Sequence, residues 1–263
     1  MRALYTASTG MAAQELNVQV ISNNIANQRT TGYKRQRAQF QDLLYQVIRR
    51  PGTATSDQGN LVPAGVLIGS GVKTASTARV MTQGTINASE KEYDLAIRGE
   101  GLFKIRMPDG TAAYTRDGSF ELDAQGQLVT HDGYIVEPGI TIPSNAKSVS
   151  INGQGLVQAS IPGQVAAQDI GTIQLSRFIN KAGLESIGDN LFVETPASGQ
   201  ATDGPPSSEG FGNLQQGYLE ESNVNSVTEI SSLIAAQRAY EMNAKVVTAT
   251  DQMLSATTQM FRG

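Results

Sequence analysis

Apolar positions recur at seven-residue spacing at both ends of this chain. Between Ser226 and Gly263 the adjacent pairs Ser232-Leu233, Ala239-Tyr240, Val246-Val247, Met253-Leu254 and Met260-Phe261 form a doubled stripe in which only Ser232 is polar. Such a period describes a helix that lies along another helix. Ser226 followed by Glu229 fits a capping box, which would satisfy the orphan amides at the helix start. At 1.5 Å per residue the helix is roughly 55 Å long, more than a compact domain of this size can cover. It needs a partner.

The N-terminal stretch has the same logic. Leu4, Met11, Val18 and Ile25 recur at heptad spacing, with Ala7, Gln14 and Ile21 between them. Ala13, Leu16 and Val20 lie off that seam, and only Arg2 and Glu15 carry charge before Arg29. A solvated two-stranded coiled coil places Glu and Lys on its outer faces, so their absence predicts packing on several sides. The remaining polar positions, among them Asn17, Ser22, Asn23, Asn24, Asn27 and Gln28, are amides and hydroxyls. These groups suit close contacts between subunits, where ions would carry a desolvation cost. They equally suit the wet faces of a helical hairpin within one chain. Thr30-Thr31-Gly32 ends the helical pattern, with Gly32 placed for a C-cap or turn.

Between the two helices the pattern changes twice. Residues 52–71 are rich in Gly, Pro, Ser and Thr and predict a loop or extended hairpin. From Val72 to about Gln216 short alternating segments predict strands over 94–98, 102–106, 118–122, 127–130, 134–136 and 172–176. The turn pairs Asp109-Gly110, Asp117-Gly118, Gln125-Gly126 and Asp132-Gly133 separate several of them, as in an antiparallel all-β domain. The predicted class is α+β, with long N- and C-terminal helices packed as a coiled-coil-like layer and an antiparallel all-β domain inserted between them. The expected divisions are 1–35 for the first helix and 36–71 for a connecting helix end and extended loop or hairpin. The β domain follows over 72–216 and the second helix over 217–263.

Composition narrows the chemistry. Of 263 residues 17% are charged and the formal net charge is −4, which leaves no basic footprint for nucleic acid or anionic membrane. With no cysteine, disulfides, thiol catalysis and Cys-based zinc sites are excluded. Polar residues interrupt Leu4 to Ile25 too often for a secretory leader, and no apolar run is long enough for a membrane-spanning helix. The only histidine, His131, precedes Asp132-Gly133 and reads as a solvated turn residue. Glu90, Glu92 and Asp94 could form a glycosidase-like acid pair, but alternating charge at the start of a strand explains them better. No catalytic residue, metal or cofactor is expected.

The run from Asn23 to Arg35, with Asn23, Asn24, Asn27, Thr30, Gly32, Tyr33 and Lys34, resembles the signature of bacterial flagellar basal-body rod and hook proteins. Asn223-Val224-Asn225-Ser226-Val227, Glu229-Ile230 and Gln237 to Glu241 resemble the C-terminal motif of the same axial family. Gly101-Leu102-Phe103 and Tyr114 to Gly118 resemble its β body, so the resemblance covers the whole chain. The segment with Tyr45, Arg50, Pro51 and Gly52, running on to Val72, is similar to the distal-rod branch and distinguishes it from the longer hook protein.

The resemblance implies a structural subunit of a helical polymer, a rigid hollow drive shaft that carries motor torque to the hook. Its partners would be further copies of itself, proximal rod, hook and P- and L-ring proteins, and the flagellar type III export apparatus. The implied location is the periplasmic rod of the basal body, reached without leader cleavage. Assembly would use Leu4, Met11, Val18, Ile21, Ile25, Leu233, Tyr240, Val247, Leu254 and Phe261. Phe40 and Leu44 resemble the short element by which such subunits engage the export gate, although a simple i, i+4 contact on a short helix explains that pair as well. A rival reading is another axial protein, proximal rod or hook. A second is a soluble module whose termini form a private coiled coil while the β domain binds a ligand.

Overall fold

Helix α1 spans Arg2–Ala26 and helix α2 spans Ser226–Met260, and they pack together as an antiparallel pair. The computed structural model describes residues 2–51, 64–163 and 166–260. It divides the chain into two compact units, one built from Met1–Ile25, Gln36–Ala78 and Ser226–Gly263, the other from Ala26–Arg35 and Arg79–Asn225.

In the first unit two contacts set the helix register. Asn24 Nδ2 donates to Glu229 Oε2 at 3.1 Å. Fourteen residues back along α1, Gly10 stands against Asn243, fourteen residues forward along α2; a Cβ on Gly10 would lie 3.0 Å from the Asn243 amide nitrogen. Two heptads on each helix therefore match in opposite directions. Glycine at position 10 lets the backbone come this close. The pairing runs out near Arg2, so the last turns of α2 project beyond the start of α1.

The seam on α2 is not the apolar stripe alone. Its buried residues are Glu229, Ala236 and Thr250, a heptad series of small and polar side chains. Leu233 and Val247 flank this series and are half-buried. On α1 the buried positions are Ala7, Ala13, Val20, Ile21 and Asn24. Small side chains such as Ala7, Ala13 and Ala236 allow close packing, Val20 and Ile21 are buried beside them on α1, and Tyr240 and Leu254 stay partly exposed on α2.

The rest of this unit is extended. Strand β1 (Gln36–Asp42) pairs with β4 (Val72–Arg79), and β2 (Tyr45–Arg49) forms an antiparallel hairpin with β3 (Val66–Gly69). The helix end expected from residue 36 is thus a strand. Gln, Arg and Phe alternate there with a half-buried, exposed pattern, a period of two that a helical spacing argument overlooks. Because β4 pairs with β1, the boundary with the β body falls at Arg79 rather than at Val72.

The second unit is antiparallel throughout its ladders. It contains β5 (Ile86–Ala88), β6 (Leu95–Arg98), β7 (Leu102–Arg106), β8 (Ala112–Thr115), β9 (Glu121–Leu122), β10 (Leu128–Val129) and β11 (Ile135–Val136). These are followed by β12 (Ser148–Ile151), β13 (Leu156–Ser160), β14 (Gln168–Thr172), β15 (Leu175–Arg177), β16 (Glu185–Gly188), β17 (Leu191–Val193), β18 (Thr202–Gly204), β19 (Asn213–Gln216) and β20 (Tyr218–Glu220). Nine of them share one sheet, with β7 joined to β8, β11 and β15. Three smaller sheets complete the body: β12-β13-β14, β19 with β6, and β20 with β5.

Alternation places Leu95, Ile97, Phe103, Ile105 and Leu175 in the core, each 1% exposed or less. Phe103 and Phe120 meet edge to face with ring centroids 5.0 Å apart, a geometry that adds about 0.5 to 1.5 kcal/mol beyond area burial.

Candidate functional site

The family-like motifs at the two ends of the chain form two buried clasps, one in each unit. In the first unit Asn24 is fully buried. Its Nδ2 also donates to the Gln36 carbonyl at 2.8 Å, and its Oδ1 accepts from the Gln36 amide at 2.9 Å. One amide side chain thereby ties α1 to the first residue of β1 and, through Glu229, to the first turn of α2. Asparagine suits the position because its short side chain offers two donors and a separate acceptor oxygen, and all three are used here. Glu229, expected as a capping residue, is 1% exposed and accepts from Asn24.

The second clasp is ionic. Glu220, 1% exposed, lies between Lys34 and Arg116: Lys34 Nζ is 2.5 Å from Oε1 and Arg116 Nε is 2.6 Å from Oε2. The Gly84 amide also donates to Oε1 at 2.8 Å. Arg116 directs three more donors to the carbonyls of Gly101, Ile97 and Gly99 at 2.5 to 2.7 Å, and Lys34 donates to the Thr82 carbonyl at 2.9 Å. A buried carboxylate with two cations and an amide has its lone pairs satisfied, the condition under which such a group is tolerated.

Around this ionic centre the backbone closes as well. Gly32 donates to the Glu220 carbonyl at 2.8 Å. With φ at +69° and a hypothetical Cβ 2.6 Å from the Asp117 amide, position 32 accepts only glycine without strain. Asn223 Oδ1 accepts from the Arg35 amide at 2.7 Å and its Nδ2 donates to the Val80 carbonyl at 2.8 Å. The chain that leaves α1 is locked to the chain that enters α2.

Burial raises the Glu220 carboxyl, but Arg116 and then Lys34 outweigh it and leave the group below its ordinary 4.5. Burial pulls Lys34 below 10.5 against the opposing pull of Glu220. The signs differ in consequence. A depressed carboxylate contributes stability above its unfolded value, which is lost as pH falls through the folded value; a depressed lysine costs stability until pH rises past it. The urea midpoint of the β unit is therefore expected to drop as pH is lowered below about 4.5. Glu220→Gln should remove this part of the acid sensitivity; an unchanged pH profile in that variant would contradict the assignment.

The positions expected in assembly are distributed over the helix pair. Ile21 is buried, Leu4, Met11, Val18 and Ile25 are half-buried, and so are Leu233 and Val247. Tyr240 is 43% exposed and Leu254 42%, while Phe261 lies outside the described residues. Of the N-terminal motif, Asn24, Gly32 and Lys34 are buried, Asn27, Thr30 and Tyr33 are half-buried, and Asn23 is exposed. Thr30 Oγ1 donates to Asn27 Oδ1 at 3.1 Å, closing the turn after α1.

Tyr45 begins β2, and Arg50 and Pro51 follow it, all exposed; Gly52 lies outside the described residues. Phe40 is half-buried on β1 and Leu44, 89% exposed, sits between β1 and β2, so no helical i, i+4 contact joins them. Glu220 was invisible to sequence reasoning. Its one signal is that it closes β20 three residues before Asn223.

The acidic and histidine candidates have structural places. His131 is exposed, 3.7 Å from Glu121. Glu92 accepts from the Val149 amide at 2.6 Å, and Asp94 is buried against the Ser89 hydroxyl. Among the described residues no three His, Cys, Asp or Glu side chains are grouped to hold a metal, and no helix is long and apolar enough to cross a membrane.

Three family descriptions match along the chain. "Flagella basal body rod protein" covers residues 4–34, "Flagellar hook protein FlgE/F/G D1 domain" covers 96–159, and "Flagellar basal body rod FlgEFG protein C-terminal" covers 215–260. The first match holds α1 with Asn24 and Lys34, and the last holds Glu220, Glu229 and the seam of α2. Full-length relatives agree. The chain is 57% identical to the flagellar basal-body rod protein FlgG of Caulobacter vibrioides over 260 residues, 99% of each chain. It is 47% identical to FlgG of Borreliella burgdorferi over 100% of this chain and 99% of that one, and 37% identical to FlgG of Bacillus subtilis over the whole of both. With nearly all of both helices, part of the β body and the clasp side chains Asn24, Lys34, Arg116, Glu220 and Glu229 inside the matched segments, and with full-length relatives at 37 to 57% identity, this chain belongs to the FlgG family of flagellar basal-body rod proteins, structural subunits that assemble with other axial proteins rather than enzymes.

Proposed function

We propose that this chain polymerises with copies of itself into the distal part of the rod, a rigid hollow shaft that carries motor torque to the hook. The observation that carries this reading is the unfinished helix pair. Beyond the end of α1 the last turns of α2 expose Met253 at 62%, Leu254 at 42% and Met260 at 82%. Val227, Ile230 and Ile234 are exposed on its outer face nearer the start. A soluble monomer rarely leaves apolar surface in so continuous a row. The private coiled coil of the rival reading is present as the α1–α2 pair, but it leaves this row uncovered.

Heterologous contacts that do not close produce a filament, which is the geometry of a shaft. Leu4, Met11, Val18, Ile21, Ile25, Leu233, Tyr240, Val247, Leu254 and Phe261 supply its apolar burial, worth about 1.5 to 3 kcal/mol for each large side chain covered. The proximal rod and the hook are its end partners and the P- and L-rings surround it in the periplasm. The type III apparatus exports the chain without a cleaved leader, with Phe40 and Leu44 as the element presented to the export gate. The segment through Tyr45, Arg50, Pro51 and Gly52 marks the rod branch.

Size and hydrogen exchange test this reading together. At low concentration the amides of Asp251 to Met260 are expected to exchange rapidly, because this charge-poor overhang lies beyond α1 and without partners does not offset its ordering entropy. At raised concentration protection there should appear with increasing particle mass. A chain whose overhang is already strongly protected at low concentration, and which stays monomeric when concentrated, would sink the proposal.

A further inference from the structure

Within the first unit, a groove of about 280 Å³ runs between the first turns of α1 and the β2–β3 hairpin, lined by Tyr5, Thr6, Gln46, Ile68 and Ser70, with Arg2 at its rim. The groove is built rather than incidental. The Val72 amide donates to Thr9 Oγ1 at 3.4 Å and the Leu43 amide to the Gly71 carbonyl at 2.9 Å, holding the base of the hairpin to α1 and β4. Every residue of β2 and of β3 is exposed, including Tyr45, Val47, Ile48, Val66, Leu67 and Ile68. A two-stranded ribbon with both faces apolar is marginal in water and calls for cover.

The same unit carries an apolar ridge. From Asp251 to Met260 α2 runs past the end of α1 for about 15 Å, and every residue of this overhang is exposed. The length matches β2, whose five residues span about 17 Å. Met253, Ala256 and Met260 share one side of it at i, i+3 and i+7. Met side chains adapt to irregular apolar gaps, and Asp251 is the only charged residue of the overhang. The groove residues include no acid and only Arg2 as a base, so the groove sets no carboxylate against the Met side of the overhang.

Resting on the reading of the chain as a self-assembling subunit, we infer that the α2 overhang of one copy seats in the groove between α1 and the β2–β3 hairpin of a laterally adjacent, axially staggered copy. Ridge and groove lie on one unit and α2 is a continuous helix, so the overhang cannot turn back into its own groove. Each copy offers one ridge and one groove, made of different residues. That is a heterologous contact, which builds a filament when its rotation does not close a ring.

Because the chain has no cysteine, engineered cross-links have no background. Rods isolated from a deletion strain complemented with the full-length Ile68→Cys/Met253→Cys variant are expected to yield a ladder of disulfide-linked multimers on mild oxidation. Either single variant alone should yield none, and a mixture of the two single variants should stop at dimers. If Ile68→Cys is not incorporated, Ser70→Cys replaces it at the same groove. Rods of normal length that give no ladder from the double variant, or disulfide-linked dimers from Met253→Cys alone, would overturn the inference and leave the proposed function standing. Rods that lack this chain altogether would remove both.

Discussion

Replacing Glu220 with alanine is expected to destabilise the β unit by about 3 to 5 kcal/mol, a large fraction of the stability of a domain this size. The truncation leaves Lys34, 4% exposed, and Arg116, 6% exposed, without their carboxylate. It also strips the Gly84 amide of its acceptor. Urea unfolding followed by near-UV circular dichroism of Tyr and Phe measures the loss. A midpoint change equivalent to less than about 1 kcal/mol would show that water already reaches the pair.

Leu254→Asp is expected to abolish incorporation into rods and with it motility, while the β unit unfolds at the wild-type urea concentration. Leu254 continues the heptad of Leu233, Tyr240 and Val247 beyond the end of α1, where it stays 42% exposed. In the monomer an exposed aspartate there costs little; in a packed layer it carries the full desolvation of a charge. The conservative variant Leu254→Met should restore assembly. Normal swimming by the Leu254→Asp strain would count against the assignment of this face. The two variants separate the roles of the units: the first acts on folding without touching the helix surface, the second on assembly without touching the fold.

Much of the architecture was legible in periodicity. Both helices begin and end within a few residues of the positions that their heptads predict, and the strand at Leu102–Arg106 coincides with its alternation. Strand lengths were read less well where alternation is short. The stretch 118–122 keeps only Glu121–Leu122 as a ladder, because Asp117 and Ser119 tie the preceding turn by side-chain hydrogen bonds at 2.7 to 3.0 Å. Gln36–Asp42 carries too few apolar residues to register as a strand, yet its backbone pairs with β4.

The roles of the motif residues were a different matter. Spacing and resemblance singled out Asn24, Gly32, Lys34 and Asn223, but did not say what these residues do. Their partners, Glu220 and the Thr82 carbonyl for Lys34 and Gln36 and Glu229 for Asn24, are separated by up to 205 residues. No local pattern encodes such pairs, since a lone Glu in a short strand reads as a solvated residue until two cations are brought to it.

What the sequence determined by itself was therefore whatever depends on a period: two long helices that want apolar neighbours, an antiparallel β body between them, and the family to which the chain belongs. What only the tertiary structure decided was which face of α2 meets α1 and how far the two helices overlap. The apolar stripe pointed to one seam, whereas the close approach of Gly10 to Asn243 and the Asn24–Glu229 bond select a neighbouring row of small and polar side chains. The physical reason is that helix pairing optimises distance and hydrogen bonding together with apolar area. Residues small enough to let two backbones approach carry the contact, and large side chains beside them, such as Tyr240 and Leu254, stay partly exposed.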